Sequence, residues 1–428
     1  MSTERIKVFK FGGASVKSAE AFRNLARIVQ THGGRQRLLV VVSAMGKTTN
    51  ALEALLGQAY QQQDVAPGLA ELKEYHLQVL QELFPEQEHP VHQRLEHLFE
   101  LLRHQLQRIA SGSNFDKVYD QTVSFGELFS SAILHHFLAD QGLVNHLIDS
   151  RKYIQTDNNW REGRVDWTWT ERLVRRDLPQ LLQEGLVITQ GFLGGTNNGL
   201  TTTLGREGSD YSAAIFAYCL DAESMSIWKD VEGLLNADPK YFPDTVRYPE
   251  ISYQETIEMA YYGASVIHPK TLKPLATKKI PLYVKSFLNP EGEGTQICDC
   301  RFVVTAPAYI IKERQCLVSF GVKDFTFISE KNLGTIFNAL SELRIKINLM
   351  QNSAISFSIC TDDNPEKLQL LIQTLRDQFV IHYNTELRLY TVKNYDAASI
   401  NRILQGKRVL LEQRTRTTFQ LVCRSQDV

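Results

Sequence analysis

The sequence has almost no net charge, few cysteines and no long apolar run, and each shortage removes a class of function. With 47 Lys and Arg against 48 Asp and Glu the formal net charge is −1, which argues against a nucleic-acid protein driven by phosphate contacts. No stretch approaches the roughly eighteen apolar residues of a membrane span, and MSTERIKVFK leads into a strand without the apolar core of a signal peptide. Six cysteines, at 219, 298, 300, 316, 360 and 423, are scattered along the chain. Only Cys298 and Cys300 are close, and CxC without a second pair or nearby histidines is a weak metal signal. All six are therefore expected to be thiols of a cytoplasmic protein, and no metal ligand is assigned. There is no GxxxxGK(S/T), no HRD and no DFG, and the glycines after Phe11 do not fit GxGxxG. P-loop, protein-kinase and Rossmann sites are thus disfavoured.

What is present is an ordinary globular composition, 43% hydrophobic and 22% charged over 428 residues, long enough for two or three domains. RLLVVVSAMG (37–46), LVNHLIDS, EGLVITQGFLGG (184–195) and SMSIWKD read as strands, several of them apolar enough to be buried on both faces of a parallel sheet. Between them, residues 51–111 and 125–142 carry apolar residues at helical spacing. The histidines at 76, 89, 92, 97 and 104 alternate with Glu, Gln and Arg and are expected on solvated helix faces. Alternating helices and buried strands predict a three-layer αβα domain over residues 1–297. The turn-rich LNPEGEGTQICDC marks its end. A βαββα series over 302–384 and a shorter one over 385–428 then predict two small α+β units of related, ferredoxin-like design.

The opening stretch KVFKFGGASV sets Lys10 on a strand that breaks at Gly12 and Gly13, before an amphipathic run. Strand, glycine turn and helix can be an ordinary connection, or can aim backbone N–H groups at an anion. GFLGGTNNGLTTTLGREGSDYSAA (191–214) is the second glycine- and hydroxyl-rich loop. There Arg206 could fork onto a carboxylate or phosphate, and Asp210 could be catalytic or cap a helix beginning at Tyr211. In WKDVEGLLNADPK (228–240), Asp230 directly follows a strand, where open α/β sheets present ligand-facing groups. Lys240 is either a ligand-facing or a solvated turn lysine.

Six ordered blocks together resemble aspartate kinases of the amino-acid kinase fold: KFGGASV, VVVSAMGKTTN, SFGELFSS, TTTLGREGSDYSAA, KDVEGLLNADPK and MAYYGASVIHPKTL. The tail resembles paired ACT domains. The resemblance implies transfer of the γ-phosphoryl group of ATP, with Mg²⁺, to the side-chain carboxylate of L-aspartate, giving 4-phospho-L-aspartate on the route to lysine, threonine and methionine. It places Lys10 on the transferring phosphoryl group and Gly12, Gly13 and Ser15 in the phosphate loop. Thr49 and Glu127 match substrate contacts, Glu127 being suited to the ammonium, and Arg206 matches the arginine for a substrate carboxylate. Asp210 matches the acid that orients the active-site lysine; Lys229, Asp230, Leu235 and Lys240 fall at nucleotide positions. By the same resemblance Asn348, Gln351, Asn352 and Ser353 are candidates for an amino-acid effector, and ACT units imply a homodimer or higher homo-oligomer.

The chain departs from the family pattern at several of these places. A phosphate-loop threonine is Ala14, the middle glycine of GRGGSD is Glu207, a threonine before Asp230 is Lys229, a tyrosine is Leu235, an arginine is Lys240, and a lysine before VIHP is Ser265. In the ACT unit, an aspartate of lysine-sensing relatives is Asn348. The alternative reading is an amino-acid-sensing binding protein whose kinase core has decayed, which would bind nucleotide without turnover.

Overall fold

Phe9 and Phe11 alternate with Val8 and Lys10 along β1 (Ile6–Phe11), so each side of this central strand has its own partners. The computed structural model describes residues 5–33, 37–86, 88–264, 267–301, 306–323 and 326–424. It divides into two units. The first is Met1–Leu234, Arg247–Ile257 and Val266–Phe302; the second is Leu235–Val246, Glu258–Ser265 and Val303–Val428.

In the first unit β1 leads through a 3-10 turn to α1 (Ala19–Gly33) and β2 (Arg37–Val42). Five helices follow: α2 (Thr48–Tyr60), α3 (Ala66–Leu83), α4 (Pro90–Gln107), α5 (Phe115–Val123) and α6 (Phe125–Asp140). Then come β3 (Asn145–Ile148), α7 (Trp167–Glu184), β4 (Leu186–Gln190), the hairpin β5 (Leu193–Gly195) and β6 (Thr201–Thr203), α8 (Gly208–Cys219) and β7 (Ser224–Lys229). The remainder is β8 (Glu250–Ser252), α9 (Tyr253–Tyr262), which passes into the second unit at Glu258, α10 (Pro269–Lys278), β9 (Leu282–Ser286) and β10 (Thr295–Cys298).

Eight strands form one sheet in the order β3-β4-β2-β1-β7-β9-β10-β8, parallel except between β9 and β10. On one face Phe9, Phe11, Val40, Val42 and Trp228 pack into a core with Phe22, Leu25 and Phe129. On the other face α8 lies against β1 and β7, and α7 against β2 and β4. This is the three-layer αβα architecture expected from the sequence. Ala213, Ala214 and Ala217 let α8 lie close to the sheet, which brings its first turn to the end of β1.

Two expectations fail here. His76 is not solvated: it is fully buried between Phe99 and Phe129, its Nδ1 bonds to the Leu72 carbonyl at 2.8 Å, and burial lowers its pKa to about 4. The helical spacing of α3 places it inward, and its polar neighbours in sequence lie on other faces. Nor are all six cysteines thiols. Cys298 and Cys300 are joined in a disulfide, with Cα atoms 5.3 Å apart, because a bend after β10 returns the second sulfur to the first. The other four are buried thiols outside any disulfide.

The second unit carries β11 (Ala308–Val322), α11 (Glu330–Glu342), β12 (Ile347–Asn352), β13 (Ser356–Asp362) and α12 (Pro365–Leu375). It ends with β14 (Phe379–Lys393), α13 (Ala397–Leu404), β15 (Val409–Arg414) and β16 (Thr418–Arg424). These strands make one antiparallel sheet, β12-β13-β11-β14-β16-β15. β11 and β14, 15 residues each, run through both halves. Residues 315–321 of β11 pair with β13, whereas 308–312 pair only with the far end of β14, which itself pairs with β16. The short final unit is thus completed by chain crossing, and the boundary expected at 384/385 falls inside β14. Among the described residues no helix is long and apolar enough to cross a membrane.

Candidate active site

The centre of the first sheet brings together groups that lie 200 residues apart in sequence. Lys10 stands on β1 opposite Val41 of β2 and Ile227 of β7, only 7% exposed. Being out of phase with Phe9 and Phe11, it faces α8. Its Nζ lies 2.6 Å from Asp210 Oδ1, in the first turn of α8. Lys229, the last residue of β7, reaches Asp210 Oδ2 at 3.6 Å. Burial alone would raise the Asp210 carboxyl; the two ammonium groups outweigh it and hold the pKa below the usual carboxylate range. Asp210 is therefore not the helix cap. α8 starts earlier, and its N-cap position is Glu207.

Gly13 is required by space: a Cβ there would stand 2.8 Å from the Ala44 carbonyl oxygen, whereas one on Gly12 would meet only Lys10 Nζ, at an ordinary contact distance of 3.6 Å. The turn closes through Ser15 N–H to the Gly12 carbonyl at 2.9 Å, and Gly46 N–H binds the Gly13 carbonyl at 3.0 Å. The two loops after β1 and β2 are thereby fastened together, with Ser15 buried. Thr49 lies half-buried in the first turn of α2, directly after the second loop.

Glu127, in the first turn of α6, is 2% exposed. Its Oε1 accepts the Ala44 N–H at 3.2 Å, while its Oε2 is buried with no hydrogen-bond partner among the described residues. Burial pushes its pKa up to about 8, against the opposing pull of the Ala44 N–H and the Lys10 charge. Such a carboxyl suits a cationic guest, which would complete the missing contact.

Arg206 is exposed on the loop between β6 and α8. That loop is fastened by residues whose role the sequence did not reveal. Glu207 has φ +54°, the left-handed region, which accounts for the glycine of the family pattern. Its Oε2 accepts the backbone N–H of His268 at 2.8 Å, and Lys270 Nζ donates to the Leu204 carbonyl at 3.0 Å. The extra carboxylate is thus turned to the start of α10, where the helix end favours negative charge. At the hairpin's base, buried Asp120 accepts from Thr203 Oγ1 at 2.7 Å and from Arg161 N–H at 2.9 Å. In Glu207→Ala the loop should lose its tie, raising KM for aspartate by about tenfold while kcat changes little, if the loop presents Arg206 to that substrate. Glu207→Gln keeps the acceptor and should stay near the parent; an unchanged KM in the alanine variant would show that the tie does not place Arg206.

Asp230 is exposed just beyond β7 and shares a cavity of about 750 Å³ with Ala14, Ser15, Asn24, Arg27 and Phe287. Leu235 and Lys240 belong to the second unit, where the Lys240 ammonium lies 5.1 Å over the Tyr241 ring. Ser265 lies outside the described residues. Of the four effector candidates, Gln351, Asn352 and Ser353 are exposed. Asn348 is 7% exposed, donating to Gln315 and Asp362 and accepting from Lys312, each at 2.8 Å.

Residues 5–286 match the amino acid kinase family. The chain is 32% identical over 364 residues to the lysine-sensitive aspartokinase 3 of Escherichia coli, covering 83% of this chain and 78% of that one. A crystal structure of E. coli aspartokinase III with aspartate and ADP superposes with a TM-score of 0.81 at 28% identity, covering 99% and 97% of the two chains. The same enzyme with lysine and aspartate gives 0.79 at 28% identity, covering 99% and 96%. The chain belongs to the aspartokinases within the amino acid kinase family.

Proposed function

We infer that the first unit transfers the γ-phosphoryl group of ATP to the side-chain carboxylate of L-aspartate, releasing ADP and 4-phospho-L-aspartate. The observation that carries this reading is the buried Lys10–Asp210 pair, reached by half-buried Lys229, beside a buried Glu127 with one oxygen that has no hydrogen-bond partner among the described residues. The reaction brings two anions together, so the enzyme's task is positioning and charge neutralisation. The attacking carboxylate is already ionised at neutral pH, and no general base is required. Lys10, fixed by Asp210, sits where charge on the moving phosphoryl group can be met, and the loop of Gly12, Gly13 and Ser15 is assigned to the phosphates. Glu127 takes the aspartate ammonium, Thr49 its polar groups and Arg206 a carboxylate. Leu235 and Lys240 are assigned to the nucleotide.

Mg²⁺ fits the donors present: Asp230 offers an exposed carboxylate in the cavity it shares with the phosphate turn, and the nucleotide's own oxygens would complete the shell. When bound, the ion would neutralise charge on the phosphates. In the second unit, exposed Gln351, Asn352 and Ser353 are the positions we assign to an amino-acid effector, Asn348 being occupied within the fold. β12 is an edge of its sheet, an open edge that suits pairing with a second copy.

The direct experiment is ATP- and Mg²⁺-dependent formation of aspartyl hydroxamate, trapped with hydroxylamine. Signal with aspartate but not glutamate or N-acetylglutamate is expected; folded, ATP-binding protein giving no signal would instead support a decayed core. Lys229 supplies a cation at a place where the family pattern has a threonine. Lys229→Ala should therefore raise KM for ATP about tenfold with KM for aspartate little changed. An unchanged KM for ATP would remove Lys229 from the nucleotide site.

A further inference from the structure

We propose that Cys298, Cys300 and Glu250 form a thiol-dependent zinc site at the edge of the first unit's sheet. β8 and β10 pair in parallel, with Gln296 opposite Glu250 and Cys298 opposite Ser252. This pairing sets Glu250, 48 residues earlier in sequence than Cys298, two register positions before the end of β10, and the bend after β10 returns Cys300 towards it. The two sulfurs and a carboxylate oxygen all lie within 4.8 Å of one another, the one such ligand group among the described residues. Tetrahedral zinc with thiolates at about 2.3 Å and a carboxylate at about 2.1 Å separates its ligands by roughly 3.5–4 Å. The three groups need only small side-chain rotations to reach that spacing. Both cysteines are half-buried and Glu250 is exposed, so the metal has an entry path and water has the fourth position. Asp299, between the cysteines, pairs instead with Lys279 at 2.8 Å.

The disulfide is the closed state of this site. Reduction by a small-molecule dithiol breaks the S–S bond with two electrons and two protons, leaving two thiols and the reductant as its own disulfide. Zinc then binds both sulfurs as thiolates, displacing two protons. Only the zinc state engages Glu250, adding a metal tie to the existing pairing of β8 and β10. β10 is the last strand before the chain enters the second unit, and β8 lies in the segment between two second-unit segments.

The test is Co²⁺ titration of the full chain, reduced with a phosphine and freed of it, followed by Zn²⁺ displacement. One equivalent of Co²⁺ should give a thiolate-to-metal charge-transfer band that Zn²⁺ abolishes and that oxidised protein lacks. Cys298→Ser and Cys300→Ser should each weaken binding by about a hundredfold, and Glu250→Gln by about tenfold. A reduced protein that takes up no stoichiometric Co²⁺ would overturn the proposal, as would a full band in either serine variant, which would point to the four buried cysteines. Glu250→Gln, an exposed isosteric change, keeps the test available where a serine variant fails to fold; undiminished affinity in it would remove the three-ligand site.

Discussion

Lys10→Met should lower kcat for aspartyl phosphate formation by about 10³-fold, the scale of removing one preorganised charge from a developing anion. KM for aspartate, read at pH 9 where Glu127 is ionised, should change far less than kcat, because Glu127 and Arg206, the groups assigned to that substrate, remain; at lower pH Glu127 also loses the pull of the Lys10 charge. The same substitution should destabilise the fold. Asp210 would remain buried with only Lys229, at 3.6 Å, to balance it, and breaking a buried pair from one side costs about 3–5 kcal/mol. Asp210→Asn in the Lys10→Met background removes the stranded charge and should recover much of that stability with no recovery of rate. Stability by denaturant titration and rate by hydroxamate formation separate the two effects. A kcat within tenfold of the parent in Lys10→Met would show that the transferring group is met by some other cation.

That cluster shows where sequence reading succeeds and where it stops. The strand, glycine turn and helix around Lys10 were legible because each depends on neighbours: alternating apolar positions, then a glycine pair of which Gly13 admits the Ala44 carbonyl. Asp210 was not decidable in the same way, since capping and catalysis use the same residue at a helix start. The answer lies in the sheet order, which sets β1 between β2 and β7 and lays α8 across it. Glu207 looked like a stray charge because its partner, the His268 N–H, is 61 residues away. His76 was misread because α3 is polar on more than one face, so local composition did not show which face is covered. In the second unit the order of strands and helices was legible, but the sharing of β11 and β14 across both halves was not. Two adjacent apolar half-strands read alike whether they belong to one sheet or two.

Glu127 yields the second large effect, one that depends on pH. With its pKa near 8 in the empty site, the carboxyl is mostly protonated at pH 7. An aspartate ammonium can pair with it only as the carboxylate, so binding at pH 7 should release close to one proton, measurable by calorimetry in buffers of different ionisation enthalpy. kcat/KM for aspartate should rise about tenfold per pH unit on the acid side and level off above pH 8. Glu127→Gln, which keeps the acceptor for Ala44 N–H, should release no proton, lose this rise, and fall about a hundredfold in kcat/KM at pH 8. Stability should move the opposite way. The folded pKa lies above the ordinary 4.5, so the favourable protonated state is fully present below that value and is lost as pH rises towards 8. By pH 8 the ionised group costs the empty fold several kcal/mol, and Glu127→Gln should therefore melt higher than the parent there, with the gap closing below pH 5. Aspartate at a concentration that just saturates the parent should raise the parent's Tm at pH 8 and leave that of the variant almost unmoved. Equal proton release by parent and variant would mean that some other group receives the ammonium, and the buried carboxyl would then be a structural element of the loop after β2.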